Sequence, residues 1–219
     1  EFIKFYSASY VKWKKGEKPR PYFIQDIISD IIPVYSNSLR AEHIEYLLLD
    51  GLRWDLWGYI KKKRFSSFTM CRIVREIPLW AHAPTVTSVQ MEALHLADWP
   101  SKATLDVFSF DELPFEEENN LQEERKQTAG LEHFIKYNLI DNKIHNSCED
   151  LHVLYQEIDL QLGIYLEAYM KSLPQKTMVI LFSDHGFREI NKVPYGKNRY
   201  VHGSISLEEV IVPLIVIFK

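Results

Sequence analysis

Two apolar runs in this 219-residue chain end on an aspartate. IEYLLLDG closes on Asp50, and TMVILFSDHG closes on Asp184 and His185. A carboxylate carried out of an apolar run needs a cation or hydrogen-bond donors, because burying it bare is costly. Asp184 beside His185 offers mixed oxygen and nitrogen ligation, a donor set suited to a divalent metal, and Gly186 permits a sharp turn there. RYVHGS brings His202 just ahead of the last apolar run. LIDNKIHNS sets Asp141 and His145 four residues apart, a spacing that on a helix puts both on one face, where they could share an ion. APTVTSVQ places Thr85 and Thr87 at the start of a helical pattern, where free N–H groups and the helix dipole favour anions. A hydroxyl there is either an N-cap or, beside a metal that lowers its pKa, a nucleophile. Taken singly each piece is weak: Asp-Gly is an ordinary turn, and the chain has eight histidines.

The elements that must carry these residues alternate. The spacing of Phe23, Ile27, Ile28 and Ile31 predicts a helix over 22–35 ended by Pro33. IEYLLLD reads as a buried strand, WDLWGYIKKK as a helix, MCRIVREIPLW as a strand and SVQMEALHLAD as a helix. LEHFIKYN reads as a short helix. Leu151, Leu154, Tyr155, Ile158, Leu162, Tyr165, Leu166 and Tyr169 form one face of a long amphipathic helix. TMVILFSD and EVIVPLIVIFK are the remaining buried strands. Short apolar strands alternating with helices predict an α/β sandwich with helices on both faces of the sheet. In open sheets of this kind ligands gather beyond the carboxyl ends of the strands, which is where Asp50 and Asp184 fall.

Composition narrows the class. Lys+Arg 26 against Asp+Glu 30 gives a net charge of −4, so a grip on a polyanion must come from a local site. Residues 1–20 are locally basic and read as a solvated connector, with a basic arm touching a partner as the alternative. Residues 98–128 include FDELPFEEENNLQEERK, with seven acidic and two basic residues, and read as a surface loop or reduced cap. Cys71 and Cys148 are too few for a disulfide framework; both read as buried small hydrophobes, and a reducing, cytoplasmic setting is expected. No apolar run approaches the ~18 residues of a membrane span, and the first residues lack the apolar core of a secretory signal. The chain does not start on Met and reads as a domain of a longer protein, with residues 1–40 as an N-terminal connector or helical segment and 41–219 as the core.

Taken in order, LLLDG, PTVT before a helix, Asp-x-x-x-His, SDHG and HG before a final strand resemble the alkaline phosphatase superfamily. LDGLRWDLW, VTSVQMEAL and YGKNRYVHGSISLEEVIVPLIV look closer still to its PglZ branch, known from phage-defence operons and some response regulators. The resemblance covers most of residues 44–218. It implies a three-layer sandwich around a mostly parallel sheet, with two divalent ions at its carboxyl edge, zinc or else manganese.

Carried over residue by residue, the resemblance implies one ion held by Asp141, His145 and His202 and the other by Asp50, Asp184, His185 and the nucleophile. It favours Thr87 over Thr85 as that nucleophile, because relatives carry a Gly about three turns further on. Counting from Thr87 reaches Ala97, a departure from the family pattern. The acidic stretch within 98–130 stands where many relatives have a larger cap. The implied reaction is phosphoester hydrolysis through a phosphothreonine intermediate, on a nucleotide, a nucleic acid or another phosphoester, with diesters favoured. Arg53, Asn198 and Arg199 are candidates for holding a phosphate oxygen. Other domains of a longer defence or signalling protein are the implied partners. The alternative is a partner-binding scaffold that keeps the fold and turns over little.

Overall fold

The IEYLLL run folds as the centre of the molecule. In the computed structural model, which describes residues 1–65, 69–96, 104–108, 133–190 and 198–219, it lies in strand β2 (His43–Leu49). Tyr46 to Leu49 are at most 1% exposed, as expected of a strand covered on both faces. The other strands of its sheet are β1 (Tyr22–Phe23), β3 (Arg72–Trp80), β4 (Thr104–Phe108), β5 (His133–Tyr137), β6 (Thr177–Phe182) and β9 (Ile211–Phe218). The order is β1-β3-β9-β6-β2-β5-β4. All neighbours pair parallel except β9, which runs antiparallel to both β3 and β6. A separate ribbon joins β7 (Arg188–Glu189) to β8 (Tyr200–Val201).

The helices are α1 (Phe2–Lys14), α2 (Ile32–Leu39), α3 (Trp54–Ile60), α4 (Thr87–Leu96), α5 (Leu139–Asn146), α6 (Leu151–Ser172) and the short α7 (Leu207–Val210). Leu47, Leu49, Ile135 and Val179 point to one side of the sheet, against Leu56 and Trp57 of α3, Ile144 of α5 and Ile158 and Leu162 of α6. Leu48, Phe134 and Ile180 point to the other, against Ile27, Ile31 and Leu94. The architecture is therefore the expected α/β sandwich, a mostly parallel sheet with helices on both faces. Among the described residues no helix is long and apolar enough to cross a membrane.

Several local expectations are corrected. LEHFIKYN is not a helix: His133–Tyr137 form β5, paired on both sides. Five residues with Phe134, Ile135 and Tyr137 all buried cannot be told from a helical turn by period alone. Thr104–Phe108, inside the stretch read as a loop, form the edge strand β4; Ala97 and the acidic run 110–126 lie outside the described residues. Pro33 does not end a helix. A π-helical turn spans Ile27–Ile31, and Pro33 sits in the first turn of α2, where its missing N–H costs nothing. Cys148 is exposed and Cys71 only half-buried; both are free thiols.

Residues 1–20, read as a solvated connector, form α1 and pack on the sheet through one aromatic face. The basic count of this segment conceals an aromatic stripe. Tyr6 is buried, its hydroxyl donates to the Ala81 carbonyl at 2.8 Å, and its ring stacks on Trp80. β1 then extends the sheet through β3.

Candidate metal centre

β2, β5 and β6 are parallel neighbours, so their carboxyl ends open on one edge of the sheet. Asp50 follows β2, α5 with Asp141 and His145 follows β5, and Asp184 and His185 follow β6. The turns are tied together. Ser183 Oγ accepts from the Leu52 amide at 2.8 Å and donates to the His185 carbonyl at 2.9 Å. Gly51 takes φ +84°, a conformation side chains rarely adopt, and its amide donates to Asp184 Oδ1 at 3.4 Å. Gly186 meets a different demand: a Cβ there would lie 2.0 Å from the Glu208 carbonyl oxygen.

Asp141, His145 and His202 meet at one point. His145 Nε2 is 3.3 Å and His202 Nε2 3.4 Å from Asp141 Oδ1, and the two nitrogens are 3.0 Å apart. Beside them His185 Nε2 lies 3.2 Å from Asp50 Oδ1 and 3.6 Å from Asp184 Oδ2. Asp141 also reaches this second set, its ligand atom lying within 4.8 Å of those of Asp50 and His185. The His185 and His202 rings stack with centroids 4.2 Å apart.

Each ring of this stacked pair has a fixed outer partner. His202 Nδ1 is 3.2 Å from the Thr85 carbonyl, and His185 Nδ1 is 3.0 Å from the Gly186 carbonyl. A carbonyl only accepts, so both Nδ1 atoms carry hydrogen and both Nε2 atoms face the carboxylates. Asp141 Oδ1 and Asp184 Oδ2 are buried without a hydrogen-bond donor. Such oxygens, converging with imidazole nitrogens, fit a divalent ion, and the donor set suits zinc or manganese.

The two threonines have different surroundings. Thr85 is buried; its hydroxyl donates to the Ser204 carbonyl at 2.8 Å and accepts from the Gly203 amide at 3.1 Å, fixing the loop that carries His202. Thr87 opens α4, with Oγ1 at 3.4 and 3.5 Å from the Asp50 oxygens and 3.2 Å from His185 Nε2. Its hydroxyl thus lies among the ligand groups at a helix N-terminus.

Sequence reading missed Lys136. Its ammonium is 2.7 Å from Asp50 Oδ2. A strand assignment for HFIKY would have exposed it, since a lysine within a strand covered on both faces is unusual. Of the candidate phosphate contacts, Arg53 and Arg199 have protein partners. The Arg53 guanidinium is buried on Asp55 at 2.7–2.8 Å, on the Phe187 carbonyl at 3.2 Å and over the Phe187 ring. Arg199 pairs with Glu189 at 2.5 Å and with Asp150. Asn198 is exposed.

The charges polarise one another. Burial alone would raise Asp50, but His185 and Lys136 outweigh it and hold the carboxyl at about 2. Asp184 goes the other way, pushed up to about 6 mainly by burial, with Asp50 adding to the rise. Burial opposes a charge on His185, yet Asp184 and Asp50 raise it to about 9. His202 is raised by Asp141, against burial.

No protein-family model and no curated protein matches the chain. Solved structures with a similar chain trace include the zinc complex of the C-terminal periplasmic domain of EcEptC from Escherichia coli, at 10% identity and TM-score 0.46 over 82% of this chain and 73% of that one. The soluble domain of lipooligosaccharide phosphoethanolamine transferase A from Neisseria meningitidis matches at 10% identity and TM-score 0.45, over 82% and 78%. The C-terminal periplasmic domain of phosphoethanolamine transferase EptC from Campylobacter jejuni matches at 13% identity and TM-score 0.38, over 80% and 79%.

Proposed function

We propose that the chain is a metal-dependent phosphoester hydrolase of the alkaline phosphatase type, and that Thr87 is its nucleophile. The observation that carries this is the placement of Thr87 Oγ1 within 3.2–3.5 Å of His185 and Asp50, with the Asp141, His145 and His202 group alongside. Asp50, Asp184 and His185 would hold one ion and Asp141, His145 and His202 the other, zinc or manganese. When bound, the pair supplies a lowered hydroxyl pKa and neutralisation of phosphoryl oxygens.

The chain's own groups do the rest. The Thr87 hydroxyl donates toward Asp50, which keeps a lone pair of Oγ1 free for attack. The Oγ1–P bond forms as the bond from phosphorus to the leaving oxygen breaks, and the proton lost from Oγ1 passes through solvent to the leaving oxygen. Water then cleaves Oγ1–P, returning the hydroxyl and releasing the phosphate product. The substrates we favour are diesters, nucleotides or nucleic acid among them. The PglZ-like motifs support a role in a multidomain defence or signalling protein, and the two free thiols support a cytoplasmic setting.

The test pairs elemental analysis of protein purified without chelator with hydrolysis of an aryl phosphate monoester and a bis-aryl diester. About two ions per chain, fewer in Asp184→Ala, and diester turnover abolished in Thr87→Ala are expected. Bound ions with no turnover of either ester would favour the scaffold reading, and absence of ions would overturn the proposal.

A further inference from the structure

Lys136 stands where a strand covered on both faces ordinarily carries an apolar side chain. We propose that Lys136 sets unequal affinities at the paired ion positions, making the Asp50 and His185 group the weaker one until an anionic phosphoester arrives. This rests on the paired-ion reading above and concerns what this side chain does to it.

The geometry places a cation in competition with an ion. Lys136 Nζ is 2.7 Å from Asp50 Oδ2, with the side chain only 16% exposed, so the ammonium is held in the site rather than in water. Asp50 Oδ1 faces His185 Nε2 at 3.2 Å, and Thr87 Oγ1 touches both Asp50 oxygens. An ion entering here must share Asp50 with a like charge or displace it. Among the described residues, the ion pairs of Asp141, His145 and His202 are made with one another and none is made with a lysine or arginine. The first ion therefore settles on that group.

Charge balance shows why the second ion is the weaker one. Asp50, Asp141 and Asp184 against Lys136 leave two net negative charges when the imidazoles are neutral. One divalent ion cancels them. A second leaves the site positive, a charge that a phosphoryl group then offsets. The second ion and the phosphoester thus bind cooperatively, and Lys136 is a positioning residue that creates the coupling.

The experiment is calorimetric titration of zinc, and separately of manganese, into metal-free wild type, Lys136→Met and Lys136→Arg, with and without inorganic phosphate. Wild type should show a tight and a weak step, the weak one strengthened by phosphate. Lys136→Met should tighten the weak step at least about tenfold and leave the tight step unchanged, while Lys136→Arg keeps the wild-type pattern. Two equal steps in wild type, or an unchanged or weakened second step in Lys136→Met, would overturn the assignment and leave the paired-ion reading standing. Equal steps in wild type would overturn the proposal even if Lys136→Met does not fold. Absence of any binding would overturn both.

Discussion

His145 Nε2 and His202 Nε2 lie 3.0 Å apart although 57 residues separate them, one carried by a helix after β5 and the other by the loop after β8. Asp141 Oδ1 closes the triangle at 3.3 and 3.4 Å. Since His202 Nδ1 is committed to the Thr85 carbonyl, its Nε2 presents a lone pair to this point whenever the ring is neutral. Nothing in the apolar packing requires such a triangle, and a divalent ion satisfies all three atoms at once.

His202→Ala should therefore remove one ion. Elemental analysis is expected to fall from about two ions per chain to about one. A chelator should lower the melting temperature of wild type by several degrees and that of the variant by less, because an ion that binds only the folded state stabilises it by mass action. Equal chelator shifts in both proteins would place the stabilising ion elsewhere.

Thr87→Ala and Thr85→Ala should separate cleanly. Loss of the Thr87 hydroxyl should lower turnover by about a thousandfold or more while metal content and melting temperature hold. Thr85→Ala takes away the hydroxyl that bonds the Ser204 carbonyl and the Gly203 amide, so it should cost on the order of 1–3 kcal/mol of stability. Denaturant unfolding and phosphodiester turnover, measured on both variants, check the contrast. Similar effects of the two substitutions on turnover at unchanged stability would contradict it.

The strands that end on Asp50 and Asp184, and the i,i+4 pair Asp141 and His145, were legible because their signals are local: an apolar run with a polar stop, and a helical spacing. Lys136 was not, since five residues fit either period and its meaning depends on β2 and β4 closing on both sides. Arg53 shows the opposite case. Its place after the Asp50 turn was readable, but the engagement of its guanidinium by Asp55 and the Phe187 carbonyl depends on tertiary packing. Tyr6 was hidden by composition, because the lysines of residues 1–20 dominate the count while the rings decide the packing. Pro213 lies in β9, between β3 and β6, and pairs opposite Pro78, so the general rule that confines proline to sheet edges would have misplaced it.

Gly186→Ala should act on the site through the backbone. Its Cβ would meet the Glu208 carbonyl oxygen at 2.0 Å and Arg53 Cγ at 3.1 Å. A carbonyl of the main chain cannot swing aside as a flexible side chain does, so the turn carrying His185 must shift. The expected loss is about 2–4 kcal/mol by denaturant unfolding, together with reduced metal content. A variant as stable as wild type with full metal content would show that the turn is more compliant than this contact allows.

His82 gives the fold a pH dependence separate from the site. Its ring stacks on Phe23 at 4.8 Å, its Nδ1 accepts from the Tyr10 hydroxyl at 3.0 Å, and its Nε2 donates to Gln25 Oε1 at 2.7 Å. Burial, then the positive charge of Lys14, lowers its pKa to about 4; Asp26 opposes this and Arg20 adds to it. The unfolded chain titrates near the ordinary histidine value of about 6.5 and so binds the proton first on acidification. The stability carried by the neutral ring is thus complete above about 6.5, is lost as pH falls from there toward 4, and amounts to roughly 3 kcal/mol at most. Urea unfolding at pH 7 and pH 4.5 should show a smaller drop for His82→Gln than for wild type, by about 2 kcal/mol. Release of bound ions at low pH affects both chains alike and cancels in that difference. Equal drops in the two proteins would mean that the proton responsible binds elsewhere.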